Sequence, residues 1–339
     1  MYYAGIDAHL TYLVIAVVDK SGALVVQERV ASAEPERLLA VLEPYRPLEA
    51  VVETCQFWPW LHDLLVPAGI GFHLAHAKKL KAIASSPQKT DSVDAALLAR
   101  MLLAELIPEA YPKSPEQREL ARLVRHRAIL VGERTAALNR IHGQLQQQRL
   151  SLPREKLLRQ ETRSWLKTEA WPVLSLEQRR LVRNHLKLID TLSGMIRQLD
   201  RRIRRRASEH PAVTLLETIP GIGPYRGLVL AAECTPIGRF PTADHLVSYA
   251  GLAPVTRSSG GHTRHGPIPK QANRWVRGAL VSAIPSHVRG APDSSLSAYY
   301  QRLKERVGWR TARVAAARKL ARIIHAMLKS GEAWRGAAL

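Results

Sequence analysis

Residues 12–30 constrain the fold more than any other stretch. "YLVIAVVD" is a β-branched run, "DKSG" at 19–22 is a turn, and "ALVVQERV" is a second run. Two neighbouring strands joined by a tight turn make a hairpin. Beyond it, helical and extended patterns alternate. Residues 34–43 carry Leu38, Leu39 and Leu42 at helical spacing, and "EAVVET" (49–54) reads as a short strand. "WLHDLLVPAG" reads as a helix stopped at Pro67 and Gly69, and "IGFHLAH" as a strand. A helix then begins in "KTDSVDAALLAR" (89–100). Strands in meander, then strands alternating with helices, give a mixed α/β order.

Residues 115–207 have another character. Glycine is scarce, and leucine recurs at threes and fours: Leu120, Leu123, Leu130, Leu138, Ile141 and Leu145, then Leu188, Leu192, Met195, Leu199 and Ile203. Both sets predict long helices with a narrow apolar seam, as in a helical hairpin or coiled coil, interrupted between Pro153 and Pro172. Such a seam calls for a partner helix, from this chain or another copy. The second helix ends in "RQLDRRIRRR", with six arginines and one aspartate. A solvated face is the simplest account of a charge run; this density favours a surface that tracks phosphates, through Arg201, Arg202, Arg204, Arg205 and Arg206.

Residues 211–339 form a third region. "LLETIPGIGPYRGLVLAAE" sets a Pro-Gly-x-Gly turn between two helical stretches, the pattern of a helix-hairpin-helix. There Gly221 and Gly223 would let backbone amides approach a phosphate, although a plain tight turn uses the same residues. No acid intervenes between Asp244 and Asp293, while Arg257, Arg264, Lys270, Arg274, Arg277 and Arg289 do. The stretch "RTARVAAARKLARIIHAMLK" predicts an amphipathic helix with basic residues on its outer face.

The 339 residues suggest two or three units, and 46% apolar residues supply their cores. A net charge of +21 draws polyanions, nucleic acid first and an anionic membrane as the rival. No apolar run approaches the ~20 residues that span a bilayer, and "MYYAGIDAHL" lacks the pattern of a signal peptide. Two distant cysteines, Cys55 and Cys234, exclude a disulfide framework or cysteine-based zinc site and suit a reducing cytoplasm. Aromatics are only 6%, so base stacking should not dominate nucleic-acid binding.

Against this basic background four acids stand out. Residues 2–30 as a whole read as strands, and Asp7 ends the first of them in "YAGIDAH" as Glu53 ends the one in "VVET", each after apolar residues. Asp91 and Asp94 lie one turn apart at the head of a helix. Capping explains acids at a helix start, and Asp94 could pair with Lys89 or face water. The sharper reading is convergence of all four on a cation, since unneutralised they would repel and some would protonate. Oxygen-only ligands point to Mg²⁺ or Mn²⁺, and two such ions can serve phosphoryl transfer.

A second anomaly is "GLAPVTRSSGGHTRHGPIPKQANRWVRGAL" (251–280). Ser258 and Ser259 precede Gly260 and Gly261, which suits a flexible surface turn or an exposed hydroxyl nucleophile. No general base is evident nearby; His262 and His265 fit phosphate or solvent better than zinc.

Together, "GIDAH", "VVET", "KTDSVDAALLAR" and "IPGIGP…SYAGLAPVTRSSGGHTRHGPIPKQANRWVRGAL" resemble the DEDD transposases of the IS-one-ten family, relatives of the bridge-RNA-guided recombinases. The likeness covers nearly the whole chain in order, including "AARKLARIIHAML". It implies α/β plus α architecture: a RuvC-like, RNase H-type domain (1–112), a helical coiled-coil region (113–208), and a mostly helical transposase domain (209–339) with a helix-hairpin-helix-like element. It also implies Mg²⁺ or Mn²⁺ held by Asp7, Glu53, Asp91 and Asp94, and a catalytic serine at Ser259, with Ser258 the nearest ambiguity. Donor and target DNA, a structured bridge RNA and a homodimer or higher synaptic oligomer are the implied partners. "ETCQFWPW" is bulkier after the glutamate than the family pattern, and "PIPK" has a proline where serine or threonine is usual. The chemistry implied is cutting and rejoining DNA through a phosphoserine link. Two alternatives use less: a RuvC-like junction nuclease that uses water, and a nucleic-acid-binding protein without chemistry.

Overall fold

The computed structural model describes residues 1–83, 91–152, 157, 159–259, 262–266, 268–269 and 272–336, with backbone alone at 91–92, 160–161, 256–259 and 262–265. Lys89, Pro153, Gly260, Gly261 and Lys270 lie outside the described residues. The chain folds as two compact units, 1–116 and 117–339.

The first unit is built on five strands: β1 (Tyr2–Ala8), β2 (Tyr12–Val18), β3 (Leu24–Ala31), β4 (Leu48–Glu53) and β5 (Gly71–Ala75). Their order across the sheet is β3-β2-β1-β4-β5. β1, β2 and β3 pair antiparallel, while β4 runs parallel to β1 and β5 parallel to β4. The expected hairpin is β2–β3. Its turn is closed by Asp19, whose carboxylate accepts from the Ser21 and Ala23 amides. These bonds and the Ser21 hydroxyl, the largest cause, lower the Asp19 pKa.

Helices α1 (Pro35–Leu42), α2 (Trp58–Leu65), α3 (Ala77–Ile83) and α4 (Asp91–Leu103) complete the unit. Strand periodicity divides their work. One sheet face gathers Ala4, Ile6, Leu13, Ile15, Val17, Ala50 and Val52 with Leu38, Leu42, Leu61 and Leu65. The opposite face sets Val14 and Ala16 against Ala95 and Ala96, and Val51 and Ala75 against Leu98, Met101 and Leu102. Each fully buried Val, Leu or Ile contributes about 1.5–3 kcal/mol, so both faces hold their helices. α4 lies very close to the sheet: a Cβ at Gly5 would sit 2.0 Å from the Ala95 carbonyl oxygen and 2.7 Å from the Ala99 nitrogen. Only glycine in β1 allows that approach.

The second unit contains two long helices, α5 (Pro115–Gln147) and α7 (Leu176–Ser208), with short α6 (Gln160–Trp165) between them. A capping box of Ser175 and Gln178 starts α7. The partner that the seam requires comes from the same chain: Leu130 of α5 clusters with Leu192, Ile196 and Leu199 of α7. The buried seam of α7 runs Ile189, Leu192, Ile196, Leu199, Ile203, whereas Leu188 and Met195, placed in the seam by leucine spacing, are exposed.

Helices α8 (Pro211–Glu217), α9 (Pro224–Cys234), α10 (Ala243–Tyr249), α11 (Arg274–Gly290) and α12 (Ser295–Ser330) complete the chain, with a two-stranded ribbon of β6 (Thr256–Ser259) and β7 (His262–His265) between α10 and α11. The largest core joins Leu120, Val124, Ile203 and Ala207 of the long helices to α8–α12. The architecture is thus mixed α/β with a five-stranded sheet, then a mostly helical region. Among the described residues no helix is long and apolar enough to cross a membrane.

The Gly5 contact generates a direct test. Gly5→Ala should force α4 off β1 and destabilise the first unit by at least about 1–3 kcal/mol, as overpacking does. Urea unfolding of the full chain would show this as an earlier transition; an unchanged midpoint would contradict it.

Candidate nucleic-acid-processing site

In the first unit, Asp7 stands opposite Val14 and Glu53 opposite Ala75. Val14 and Ala75 both pack on the α4 side of the sheet, so Asp7 and Glu53 point to that side as well. They are the next residues after the paired Ile6 and Val52 of adjacent parallel strands, which lie about 4.8 Å apart. Ala95 and Ala96 rest on Val14 and Ala16, and half-buried Asp94 precedes them in the first turn of α4. The strand pair carrying Asp7 and the helix start carrying Asp94 therefore meet. Asp91 begins the helix, and its side chain lies outside the described residues. Among the described residues no group of three or more His, Cys, Asp or Glu could hold a metal ion.

His9 is an additional neighbour of Asp7. Its Nε2 lies 3.1 Å from Asp7 Oδ2. Its ring stacks on Tyr12 at 4.6 Å, and the Arg29 guanidinium covers Tyr12 at 3.6 Å. Asp7 is next to last in β1, which ends at Ala8, and His9 follows directly after the strand, so the two-residue spacing in "GIDAH" is the available signal.

In the second unit, the register of β6 and β7 pairs Ser259 with His262, Ser258 with Thr263, and Arg257 with Arg264. Ser259 and His262 are thus the last paired residues of a two-stranded ribbon, and the Gly260–Gly261 pair between them, which composition reads as a flexible turn, lies outside the described residues. The base of the ribbon is tied down. The Gly266 amide donates to the Val255 carbonyl at 2.6 Å, and Arg277 donates to the Pro269 carbonyl at 3.2 Å. Gly251, at φ +65°, passes so close to Ala272 that a Cβ would lie 2.2 Å from the Ala272 Cβ.

Beneath this base lies Glu233 of α9, only 1% exposed. Its carboxylate accepts from Arg125 of α5, from Asn273 Nδ2 at 2.8 Å and from the Tyr249 hydroxyl at 3.3 Å. Asn273 caps α11 by accepting from the Trp275 and Val276 amides, and its own backbone amide donates to the Tyr249 carbonyl. Burial, then the Glu233 charge, raises the Tyr249 pKa. The two chain segments that enter and leave the ribbon, at Tyr249 and Asn273, are therefore fastened to one buried carboxylate. Sequence offers no signal for it, because Glu233 sits in an ordinary helical run.

The basic residues divide. Arg201, Arg202, Arg204, Arg205, Arg206 and Arg274 are exposed. Asp200 is turned to Arg127 of α5 at 2.9 Å, which takes the acid of that run into a pair. A cleft of about 230 Å³ between α5 and α7 is lined by Arg122, His126, Arg202 and Arg206. Arg257 and Arg264 are placed by backbone alone, and Arg277 is engaged by the Pro269 carbonyl. In the helix-hairpin-helix-like turn, Gly221 has φ +93°, and a Cβ there would lie 2.6 Å from the His287 nitrogen. Its freedom serves packing against α11, the tight-turn alternative. Gly223 is the N-cap of α9, and a Cβ there would meet nothing within 4 Å.

Residues 4–149 match the family of transposases with a DEDD site typified by IS110, and residues 213–301 match the family described as "Transposase IS116/IS110/IS902 family". The transposase of insertion sequence element IS1111A from Coxiella burnetii is 27% identical over 98% of this chain and 90% of its own. A probable family 20 transposase of Pseudomonas aeruginosa is 30% identical over 66% of this chain and 67% of its own. The transposase of element IS1328 from Yersinia enterocolitica is 23% identical over 82% and 81% respectively. The chain belongs to the IS116/IS110/IS902 family of insertion-sequence transposases. It is an enzyme of DNA transposition.

The Glu233 network predicts a measurable cost. Glu233→Ala leaves Arg125 and Asn273 without their common acceptor and should cost about 3 kcal/mol, the low end for a broken buried pair because Arg125 is 38% exposed. Chemical denaturation checks this; a loss under about 1 kcal/mol would contradict the anchoring role.

Proposed function

We propose that this transposase cuts and rejoins DNA through a phosphoserine link formed by Ser259, assisted by divalent metal at Asp7, Glu53, Asp91 and Asp94. The observation that carries the reading is that Asp7 and Glu53 stand at the ends of adjacent strands on the side of the sheet where α4 packs with Asp94 in its first turn, in a chain whose other anomaly is a serine at the end of β6 in an anchored ribbon. The strand order, three antiparallel then two parallel, supports a RuvC-like, RNase H-type domain for residues 1–112. Residues 113–208 are the helical nucleic-acid-tracking region, and residues 209–339 deliver the nucleophile.

The carboxylates form an oxygen-only donor set, which fits Mg²⁺ or Mn²⁺. A divalent ion bound there supplies charge neutralisation at a DNA phosphate. The chain's own residues do the rest. Asp7 and Glu53 are held by paired strands, and Asp94 by the close packing of α4, so their geometry is fixed before DNA arrives. His9 orients the Asp7 carboxylate. The seryl oxygen forms a bond to phosphorus as a deoxyribose O–P bond breaks; the serine gives up its proton and the leaving deoxyribose oxygen takes one up. The phosphodiester energy is conserved in the new ester, and reversal onto another strand reseals it. Ser259 is preferred over Ser258 because it directly precedes the glycine and ends β6.

The facing pair Arg257 and Arg264 supports a polyanion at this ribbon, since like charges opposite one another are unfavourable unless neutralised. The exposed arginines of α7 extend that surface. A structured bridge RNA would select donor and target by base pairing while the protein reads backbone and shape, a division that fits a charge of +21. Exposed Leu188 and Met195 on α7 support assembly into dimers or larger synaptic complexes. Two free cysteines fit a reducing cytoplasm.

A DNA substrate nicked so that religation is blocked tests the chemistry. The parent protein and Ser258→Ala should accumulate a covalent protein–DNA adduct, whereas Ser259→Ala should lose it by at least a hundredfold. Cleavage that persists in Ser259→Ala without adduct would favour the water-using nuclease. Asp7→Asn that leaves recombination intact would favour a binding protein without chemistry.

A further inference from the structure

Residues 301–311 of α12 are exposed with the exception of half-buried Leu303. Gly308 interrupts the helix here at φ +79°, ψ +159°, a conformation that glycine alone adopts freely. The chain therefore changes direction within an exposed projection, and the next residue is Trp309, 48% exposed. A large indole this open is unusual on a helix otherwise packed through alanine, leucine and isoleucine.

Its surroundings are cationic. Arg310 and Arg313 lie 5.2 Å and 5.0 Å from the indole centre. Arg313 Nε is buried and makes no hydrogen bond among the described residues, so that part of the guanidinium is spent on the ring. Residues 301–311 carry Arg302, Lys304, Arg306 and Arg310 against Glu305 alone. An apolar patch for a second copy would bring two such cationic projections together, which their charge opposes. A nucleic acid satisfies both features at once, its phosphates meeting the cations and a base meeting the indole.

We propose that this projection is a nucleic-acid-binding element in which Trp309 stacks on an unpaired nucleobase while the adjacent arginines hold the flanking phosphates. Stacking needs a free base face, so the ligand is single-stranded or locally unpaired nucleic acid rather than intact duplex. Recombination exposes such bases where strands part. The low aromatic content of the chain is no obstacle, because one exposed indole beside two arginines suffices.

Binding of a labelled oligothymidine and of a duplex of equal length, measured by fluorescence anisotropy at fixed salt with EDTA present, separates this from the acid and serine chemistry. Trp309→Ala and Trp309→Leu should weaken single-strand binding about tenfold and leave duplex binding within about twofold, whereas Trp309→Phe should bind as the parent does. Arg306→Ala with Arg310→Ala should flatten the salt dependence by about two phosphate contacts. Unchanged single-strand affinity in Trp309→Leu, or equal loss on single strand and duplex, would overturn the proposal. So would a shift in oligomeric state at unchanged DNA affinity, which would make the projection a self-association surface. Should Trp309→Ala lose its fold, the contrast between the Leu and Phe variants decides alone.

Discussion

The first unit depends on the contact between α4 and β1 at Gly5. A helix start bearing acids is ordinary, and so is a strand ending in aspartate. They become one feature because the Ala95 carbonyl rests where a Cβ would be. Ala95, Ala96 and Ala99 keep the helix face flat enough for this approach, and the larger Leu98, Met101 and Leu102 reach across to Val51 and Ala75. The position of Asp94 relative to Asp7 is thus a packing result. Electrostatics alone would drive those carboxylates apart.

The second unit solves a different problem, that of holding an irregular basic loop in place. A ribbon of two four-residue strands has little stability of its own. Its base is held instead by Glu233, which joins Arg125, Asn273 and Tyr249 around one buried charge. Such a charge is costly unless every oxygen is engaged, and here both oxygens accept hydrogen bonds. The same carboxylate links α5 to the two ends of the segment that carries Ser259, which ties the long helix to the ribbon.

Much of this is legible in sequence because periodicity and turn chemistry carry local structure. The β2–β3 hairpin, the alternating strands and helices, and both long helices arise from β-branched runs, "DKSG" and leucine spacing. Leucine spacing places Leu192, Leu199 and Ile203 in the α7 seam correctly and misses by one position twice: Leu188 and Met195 are exposed, and Ile189 and Ile196 point inward. Helix α3 escapes notice because "AKKLKAI" is too short to show a period. The acids can be named from their places at strand and helix ends. Their common side of the sheet cannot, since it depends on pairing register. Glu233 and Asn273 emerge only when distant segments are brought together, whereas His9 stands two residues from Asp7 and escapes notice all the same, and Gly221 shows that one turn sequence serves phosphate approach or helix packing alike.

The central claim is that the carboxylates act as one cation-binding centre. Titration of the full-length protein with Mn²⁺, monitored by electron paramagnetic resonance, measures that directly. Saturable binding weakened at least tenfold by Asp7→Asn and by Asp94→Asn, with thermal unfolding unchanged, is the expected result. Mn²⁺ binding indifferent to both substitutions would contradict it.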